Sequence, residues 1–213
     1  MAHEIFGDRA LVKREPAWHR IGQVFNEPLT AVEAVTKADM TYRVESSPIV
    51  VNFRGDILPA TDRALVREPT HDDPEPRIFA IVSDRYNVIQ NIDIANLLDP
   101  LTKDWPVESC GALQHGKTMF LSLDAGEAEV AGEGIKQYFA VTDTKDGKSS
   151  LRIMFTPVRT VCMNTLIAGI SEATLSVKLV HRSSLPDEMQ FYTQLMLNMR
   201  KAQASVISKF EEM

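Results

Sequence analysis

Residues 136–170 read KQYFAVTDTKDGKSSLRIMFTPVRTVCMNTLIAGI and decide the fold of this chain. Asp146 and Gly147 lie between two apolar, β-branched runs. This is a strong signal for a β-hairpin, because glycine supplies the positive φ that a tight turn needs. Pro157 is typical of a first helical turn, with Thr156 as the N-cap, and apolar residues then recur at helical spacing. The stretch therefore predicts a strand, a turn, a returning strand and a helix.

The segments outside this stretch alternate between strand and helix patterns. Thr30 and Glu33 form a capping-box pattern that opens a short helix, and the apolar run at 77–84 predicts a compact strand. The charged, proline-rich segment 54–77 predicts a loop. We therefore predict an α+β fold with a mostly antiparallel sheet, a strand-turn-strand-helix core at about 137–170 and helices on one face of the sheet.

The domain organisation is predicted from the breaks between these patterns. Residues 1–30 carry Pro16 and Pro28 and predict an irregular N-terminal arm. Residues 31–185 are predicted to form the α+β core domain. Residues 186–213 predict a C-terminal helix that reaches the last residue without a stop signal, which indicates that the helix continues in a longer chain.

Composition limits the class of protein. The chain has 213 residues, of which 44% are hydrophobic and 24% charged, as in an ordinary globular protein. No run approaches the roughly 18 apolar residues of a membrane span, and the charged N-terminus lacks the apolar stretch of a signal peptide. The two cysteines, Cys110 and Cys162, suit buried thiols in a reducing compartment. We therefore expect a cytoplasmic protein with no membrane partner.

Charge is distributed unevenly along the chain. Residues 1–135 hold 13 Lys or Arg and 22 Asp or Glu, a net charge of −9, whereas residues 136–213 hold 10 and 7, a net charge of +3. The overall charge of −6 by itself argues against a nucleic-acid binder. The asymmetry fits a local surface for an anionic ligand on the later part of the chain, or an ordinary solvated surface, and charge alone leaves both open.

Motifs of catalysis are missing from the sequence. The five histidines are far apart, and no CxxC, GxSxG, phosphate-loop or dinucleotide pattern occurs. His71, Asp72 and Asp73 could contribute to a divalent metal site, although a charged loop between prolines is more often solvated surface. Cys162 lies on an apolar stripe, which favours a buried thiol over a nucleophile. We predict a protein without catalytic residues, cofactor or metal.

Basic residues gather on the hairpin and the helix. Lys145 and Lys148 flank the turn and are expected to project from its tip, and Arg152 lies on the returning strand. Arg159 falls at the predicted start of the helix, where backbone N–H groups and a nearby cation make an anion site. An ion pair between Arg159 and a carboxylate such as Asp143 explains the same position equally well. Both interpretations stay open.

Four segments carry a resemblance to a known family. They read MAHEI at 1–5, REPAWHRIG at 14–22, SDRYNVIQN at 83–91 and TDTKDGKSSLRIMFTPVRTVCMNTL at 142–166. In these segments the chain resembles the uncharacterised phage/plasmid-like protein family, a bacterial and prophage-borne domain of unknown function. The resemblance spans nearly the whole chain, and TPVRTVCMNTL is its most specific part. It implies a mobile-element context without implying an activity.

The order strand, turn, strand, helix is also similar to the core of phage single-strand annealing proteins. Such proteins often form rings and hold the DNA backbone through basic residues near the helix. The similarity implies a homo-oligomer that binds single-stranded DNA and assists strand annealing or recombination. The nucleic-acid-binding residues are then Lys145, Lys148, Arg152, Arg159, Lys178 and Arg182, with Asn164 positioning Arg159 or a phosphate.

Two further functions are kept as alternatives. The first is a protein-interaction module of a mobile element that acts on host defence through a methionine-rich C-terminal helix containing Met189, Met196 and Met199. Filling of the core or a self-association seam explains these methionines more simply. The second alternative is a metal-dependent nuclease, which ranks last because its carboxylates have no ligand spacing. Those carboxylates are Asp72, Asp73, Asp84 and Asp143.

Overall fold

The computed structural model describes residues 3–130, 133–179, 181, 191, 194–199 and 201–202, and the fold is given for these. The strands are β1 (Ile5–Lys13), β2 (Gln23–Phe25), β3 (Val44–Phe53), β4 (Asp56–Arg67), β5 (Arg77–Val82), β6 (Val107–Leu113), β7 (Thr118–Val130), β8 (Glu133–Thr144), β9 (Leu151–Thr156) and β10 (Leu175–Leu179). The helices are α1 (Ala31–Lys37), α2 (Asn91–Leu98) and α3 (Met163–Ser171), with short 3-10 turns at Asp99–Lys103 and Gln114–Gly116.

The strands form two sheets. The large sheet has the order β10-β9-β8-β7-β6-β1-β2, and the small sheet has the order β3-β4-β5. Neighbouring strands are antiparallel throughout, except for the parallel pair β1 and β2. The predicted α+β class with a mostly antiparallel sheet is therefore confirmed.

The β8–β9 hairpin forms as its sequence predicts. An Oδ1 atom of Asp146 accepts hydrogen bonds from the backbone N–H of Lys148 at 2.8 Å and of Ser149 at 2.6 Å. Gly147 adopts a φ of 72°, which only glycine takes without strain. Its backbone also approaches Val82 so closely that an added Cβ would lie 2.8 Å from a Val82 methyl carbon. The turn thus ties the hairpin to the end of β5.

Side chains alternate between two apolar layers along these strands. Leu151, Ile153 and Phe155 of β9 point into the main core, beneath α1 and α2. Met154 points to the opposite face, where it packs with Leu166 of α3. The period-2 pattern of β9 is confirmed. The prediction that helices cover one face of the sheet is wrong for α3. Apolar side chains of β7, β8 and β9 point to both faces of the large sheet, and α3 buries those on the face opposite to α1 and α2.

Helix α3 begins later than its sequence predicts. Thr156 is the last residue of β9, and Pro157 lies in the loop that follows. The helix begins at Met163 because Oγ1 of Thr165 accepts hydrogen bonds from the backbone N–H of Val161 at 2.8 Å and of Cys162 at 3.0 Å. These bonds satisfy the donors that precede the first turn. The Cys162 thiol is free and fully buried, as predicted.

Part of the predicted N-terminal arm belongs to the large sheet. Residues 5–13 pair with β6, so that Val12 lies opposite Ser109. Leu11 is completely buried in the main core, and Phe6 is nearly so. Pro16 and Pro28 lie outside β1 and β2, so neither proline prevents these strands from pairing.

The predicted loop at 54–77 is wrong for its first part. Residues 56–67 form β4, which pairs with β3 over its whole length but with β5 only from Arg63 onward. Pro59 is tolerated because it lies in the portion that has a partner on one side alone. Residues 68–76, which include the acidic part of the segment, lie between strands as predicted.

The membrane and C-terminal predictions are tested only in part. No helix in the described ranges is long and apolar enough to cross a membrane. Met196 and Met199 are buried in the main core, which confirms that they fill it and removes them from any partner surface. Met189 lies outside the described residues.

Candidate functional site

A groove runs between α3 and the β8, β9 and β10 edge of the large sheet. It encloses about 410 Å³, and three cations line it: Lys148, Arg152 and Lys178. Thirteen of the described residues line it, and none of these thirteen is an Asp or Glu. We call this feature the α3 groove.

The cations of the α3 groove follow from strand register. Arg152 of β9 lies opposite Thr142 of β8 on one side and opposite Lys178 of β10 on the other. Directly opposite residues have Cβ atoms about 5 Å apart, and like charges placed there repel each other. Arg152 donates a 3.0 Å hydrogen bond to the hydroxyl of Ser176, and no carboxylate of the described residues forms an ion pair with it. The pair creates a positive potential that an anion in the groove would relieve.

The other surfaces of the groove are polar and apolar. On the floor, the hydroxyls of Thr118 and Thr144 share a hydrogen bond of 2.9 Å. Helix α3 supplies the apolar wall through Met163, Ile167 and Ile170. Ile167 is 59% exposed, a large fraction for an aliphatic side chain. The groove therefore offers cations on one side and hydrocarbon on the other.

Lys145 lies elsewhere, and the prediction that it projects from the turn is wrong. Its side chain is only 1% exposed. The Nζ atom donates to Oδ2 of Asp143 at 3.0 Å and to Oδ1 of Asn91 at 2.9 Å. Asp143 is completely buried, so its charge requires a partner, and Lys145 supplies it from two residues further along the chain.

Arg159 forms an ion pair with a carboxylate. Its Nε lies 2.5 Å from Oε1 of Glu108, and its Nη2 donates to the backbone carbonyl of Lys13 at 2.6 Å. The interpretation as an ion pair is confirmed, although the partner is Glu108 and not Asp143. Arg159 lies in the loop that precedes α3, and its two contacts hold that loop against β6 and β1. Arg159 does not line the α3 groove.

Two other predicted site residues are Asn164 and Arg182. Asn164 is the second residue of α3 and is exposed, but it does not line the groove. Arg182 lies outside the described residues. Of the predicted cations, the structure thus brings together Lys148, Arg152 and Lys178 and places Lys145 and Arg159 in ion pairs.

A second, larger pocket opens on the other side of the β8–β9 turn. It encloses about 960 Å³ between residues 83–86, residues 147–150 and His181. Lys148, Ser149 and Ser150 line this pocket and the α3 groove alike, so the turn forms a common wall. We call this feature the turn pocket. Two of the segments that carry the family resemblance, 83–91 and 142–166, meet at it.

Buried charges lie beneath the turn pocket. Nε2 of His181 lies 2.9 Å from Oδ1 of Asp143, and Tyr86 stacks on the imidazole with ring centroids 4.8 Å apart. The Nε2 and Oδ1 atoms lie within hydrogen-bonding distance but are not aligned for a hydrogen bond. Among the described residues, the Nδ1 atom of His181 has no hydrogen-bond partner either. Burial alone would raise the pKa of Asp143, but the charge of Lys145 and the contact with His181 outweigh it and lower that pKa. Burial also raises the pKa of Tyr86.

The sequence patterns did not identify this cluster. Asp143 lies in β8 and Lys145 is the first residue after that strand, so a period-2 alternation continued past the end of the strand places both on one face. That signal was present in the sequence. Asn91 and His181 come from distant segments, and no local pattern pairs them with the strand.

Three of the four carboxylates of the nuclease hypothesis, Asp72, Asp73 and Asp143, are paired with basic side chains. Asp72 receives two hydrogen bonds of 2.7 Å from Arg9, which lowers its pKa despite some opposing burial. Asp73 pairs with Arg67 and Arg77. Within the described ranges, no three His, Cys, Asp or Glu residues are grouped so that they could hold a metal ion.

Together, the fold and the groove define an α+β protein whose mostly antiparallel sheet carries a groove lined by three cations at one edge. The chain belongs to the family described as Domain of unknown function (DUF932), whose model matches residues 78–213. The α3 groove and five of the seven strands of the large sheet, β6 to β10, fall inside that range. No curated protein matched the chain, and no solved structure matched it.

Proposed function

We propose that this protein binds single-stranded DNA in the α3 groove and performs no bond chemistry there. The observation that supports it is the composition of the groove: the described lining residues include Lys148, Arg152 and Lys178 and no acidic residue, in a chain of net charge −6. In a chain with 29 acidic residues, thirteen described lining residues without one of them make a local departure from the average composition.

The two walls of the groove suit the two parts of a single strand. The phosphates lie along Arg152 and Lys178, whose mutual repulsion an anion relieves. Bases turn toward the apolar surface of Ile167 and Met163, where any base can make contact. Binding by these contacts is independent of sequence, since no groove residue is committed to reading a base edge.

A single strand fits better than a duplex for an electrostatic reason. Residues 1–135 carry a net charge of −9, and of the described residues that line the groove only Gln114 and Thr118 come from them. A duplex presents two charged backbones, and the second would face this acidic surface at a range where repulsion is not fully screened. A single strand keeps its only backbone within the groove.

The direct test is fluorescence anisotropy with a labelled thymidine 20-mer at low salt. Arg152→Ala/Lys178→Ala should weaken binding by about tenfold or more, because each lost phosphate contact costs about 1 kcal/mol or more. A matched control is Arg43→Ala/Lys103→Ala, which also removes one arginine and one lysine; both are exposed and lie outside the groove. Equal affinities for the two double variants, with both folded by circular dichroism, would overturn the proposal.

Strand annealing in a phage- or plasmid-type mobile element is the finer form of this proposal. Several copies, assembled as a homo-oligomer, would present their grooves to one strand and hold its bases for pairing. The measurement is the rate at which two complementary labelled strands anneal, with sizing chromatography on the same sample. A monomer that binds DNA without accelerating annealing would support binding and overturn this finer form.

A further inference from the structure

We propose that the turn pocket binds a phosphomonoester, the terminal phosphate of a DNA strand or of a free nucleotide. The ligand group is a compact dianion, held by His181 from below and by Arg85 and Lys148 from the rim. When the phosphate belongs to a strand in the α3 groove, the inference rests on the proposed function. When the phosphate belongs to a free nucleotide, the inference does not depend on the proposed function.

The first observation is the unpartnered imidazole. His181 lines the pocket, yet it is only 5% exposed, and its Nδ1 atom has no hydrogen-bond partner among the described residues. A buried polar atom without a partner costs about 1–3 kcal/mol. Nδ1 is itself closed off from solvent, so a ligand oxygen reaches it only when the imidazole turns from the orientation that the stacked ring of Tyr86 and the contact with Asp143 give it. Such a ligand would give Nδ1 the partner that it lacks.

The second observation is the charge beneath the floor. The carboxylate of Asp143 is already neutralised by Lys145, which lies 3.0 Å away. The buried pair of Asp143 and Lys145 therefore has no net charge and does not repel an anion above it. Among the described lining residues, Arg85 and Lys148 add two cations at the rim, against one acid, Asp84. The charge balance of the pocket favours an anionic ligand.

The third observation concerns the common wall. Lys148, Ser149 and Ser150 face both the turn pocket and the α3 groove. A strand that follows the cations of the groove reaches this turn, and its terminal phosphate can pass to the other side. The volume of about 960 Å³ accommodates a nucleotide, since ligand pockets span about 300–1,000 Å³.

Arg85 gives the sharpest variant for a test. It is exposed and lines the turn pocket but not the α3 groove, so Arg85→Ala should fold normally and leave groove contacts intact. The probes are thymidine 12-mers with a phosphate or a hydroxyl at the 5′ end, the same pair for the 3′ end, and thymidine monophosphate. Calorimetry or anisotropy measures each affinity on the full chain. Histidine NMR of the native protein reports whether thymidine monophosphate shifts the His181 resonances.

The expected result is about tenfold tighter binding of one phosphorylated end than of its hydroxyl counterpart, lost in Arg85→Ala. Binding of thymidine monophosphate with a shift of the His181 resonances, in the absence of strand binding, would support the pocket and overturn the proposed function. Equal affinities for both ends with no nucleotide binding would overturn the pocket and leave the groove standing. No binding of any probe would overturn both.

Discussion

The Nζ atom of Lys145 lies 3.0 Å from Oδ2 of Asp143, and both side chains are buried. The pair joins β8 to the start of the β8–β9 turn, and Asn91 accepts the second hydrogen bond of the ammonium group. A lysine beside a hairpin turn is ordinarily a solvated charge. Here it balances a carboxylate beneath the turn pocket, so the lysine stabilises the fold and is withdrawn from any ligand in the groove.

Lys145→Ala should lower the free energy of unfolding by about 3–5 kcal/mol, because it leaves the buried carboxylate of Asp143 without its cation. Urea denaturation followed by circular dichroism measures this change. Lys148→Ala, three residues away and at the exposed side of the same turn, should change stability by no more than about 0.5 kcal/mol. Similar losses of unfolding free energy in the two variants would contradict the assignment of Lys145 as the buried partner of Asp143.

Asp143→Asn should lower the free energy of unfolding at neutral pH and should lower it by a smaller amount in acid. The pKa of Asp143 is lowered in the folded state, so its carboxylate contributes stability fully above the unfolded pKa of about 4. That contribution is lost as the pH falls through the folded value. The difference in unfolding free energy between the native protein and the variant should therefore narrow between pH 7 and pH 3. A difference that stays constant over this range would contradict the assignment.

Gly147→Ala should destabilise the hairpin more than Gly55→Ala does. Both glycines have positive φ, at 72° and 99°, so alanine pays a backbone cost of about 1–2 kcal/mol at either position. Only at Gly147 would the added methyl meet a neighbour, Val82 at 2.8 Å, whereas nothing lies within 4 Å at Gly55. Thermal unfolding of the two variants isolates the contact between the turn and β5. Equal shifts in Tm would mean that this contact relaxes without cost.

Arg159→Ala should affect stability more than DNA affinity. The substitution leaves Glu108, which is almost fully buried, without its cation and costs about 2–3 kcal/mol. Because Arg159 does not line the α3 groove, strand affinity should stay within about twofold of the native value. Anisotropy and urea unfolding on the same preparation separate the two effects. A loss of affinity without a loss of stability would restore Arg159 as a phosphate contact.

Local chemistry explains which elements were predictable. The turn at Asp146 and Gly147 and the capping box of Thr30 and Glu33 each involve residues at most three positions apart, and both formed as predicted. The start of α3 was mispredicted because two caps compete within ten residues. Thr165 satisfies the backbone N–H groups before Met163, and so the helix begins later than Thr156 and Pro157 suggest.

Distant partners explain why the site was only partly predictable. Arg152 and Lys178 lie on strands whose pattern is visible in the sequence, and their register brings them side by side. The partners of Lys145 and Arg159 include Asn91 and Glu108, which are more than fifty residues away. No local pattern identifies which cation a buried polar group will capture. Cations predicted from spacing alone therefore included two that the fold uses internally.

The salt dependence of strand binding tests the central claim most directly. Three phosphate contacts in the α3 groove predict that the logarithm of the association constant falls with the logarithm of salt concentration at a slope of about −2. In Arg152→Ala/Lys178→Ala, which leaves one groove cation, the slope should fall to about −0.7. The Arg43→Ala/Lys103→Ala control should keep the native slope. A double variant in the groove that binds with an unchanged slope would contradict the assignment of the α3 groove as the DNA-binding surface.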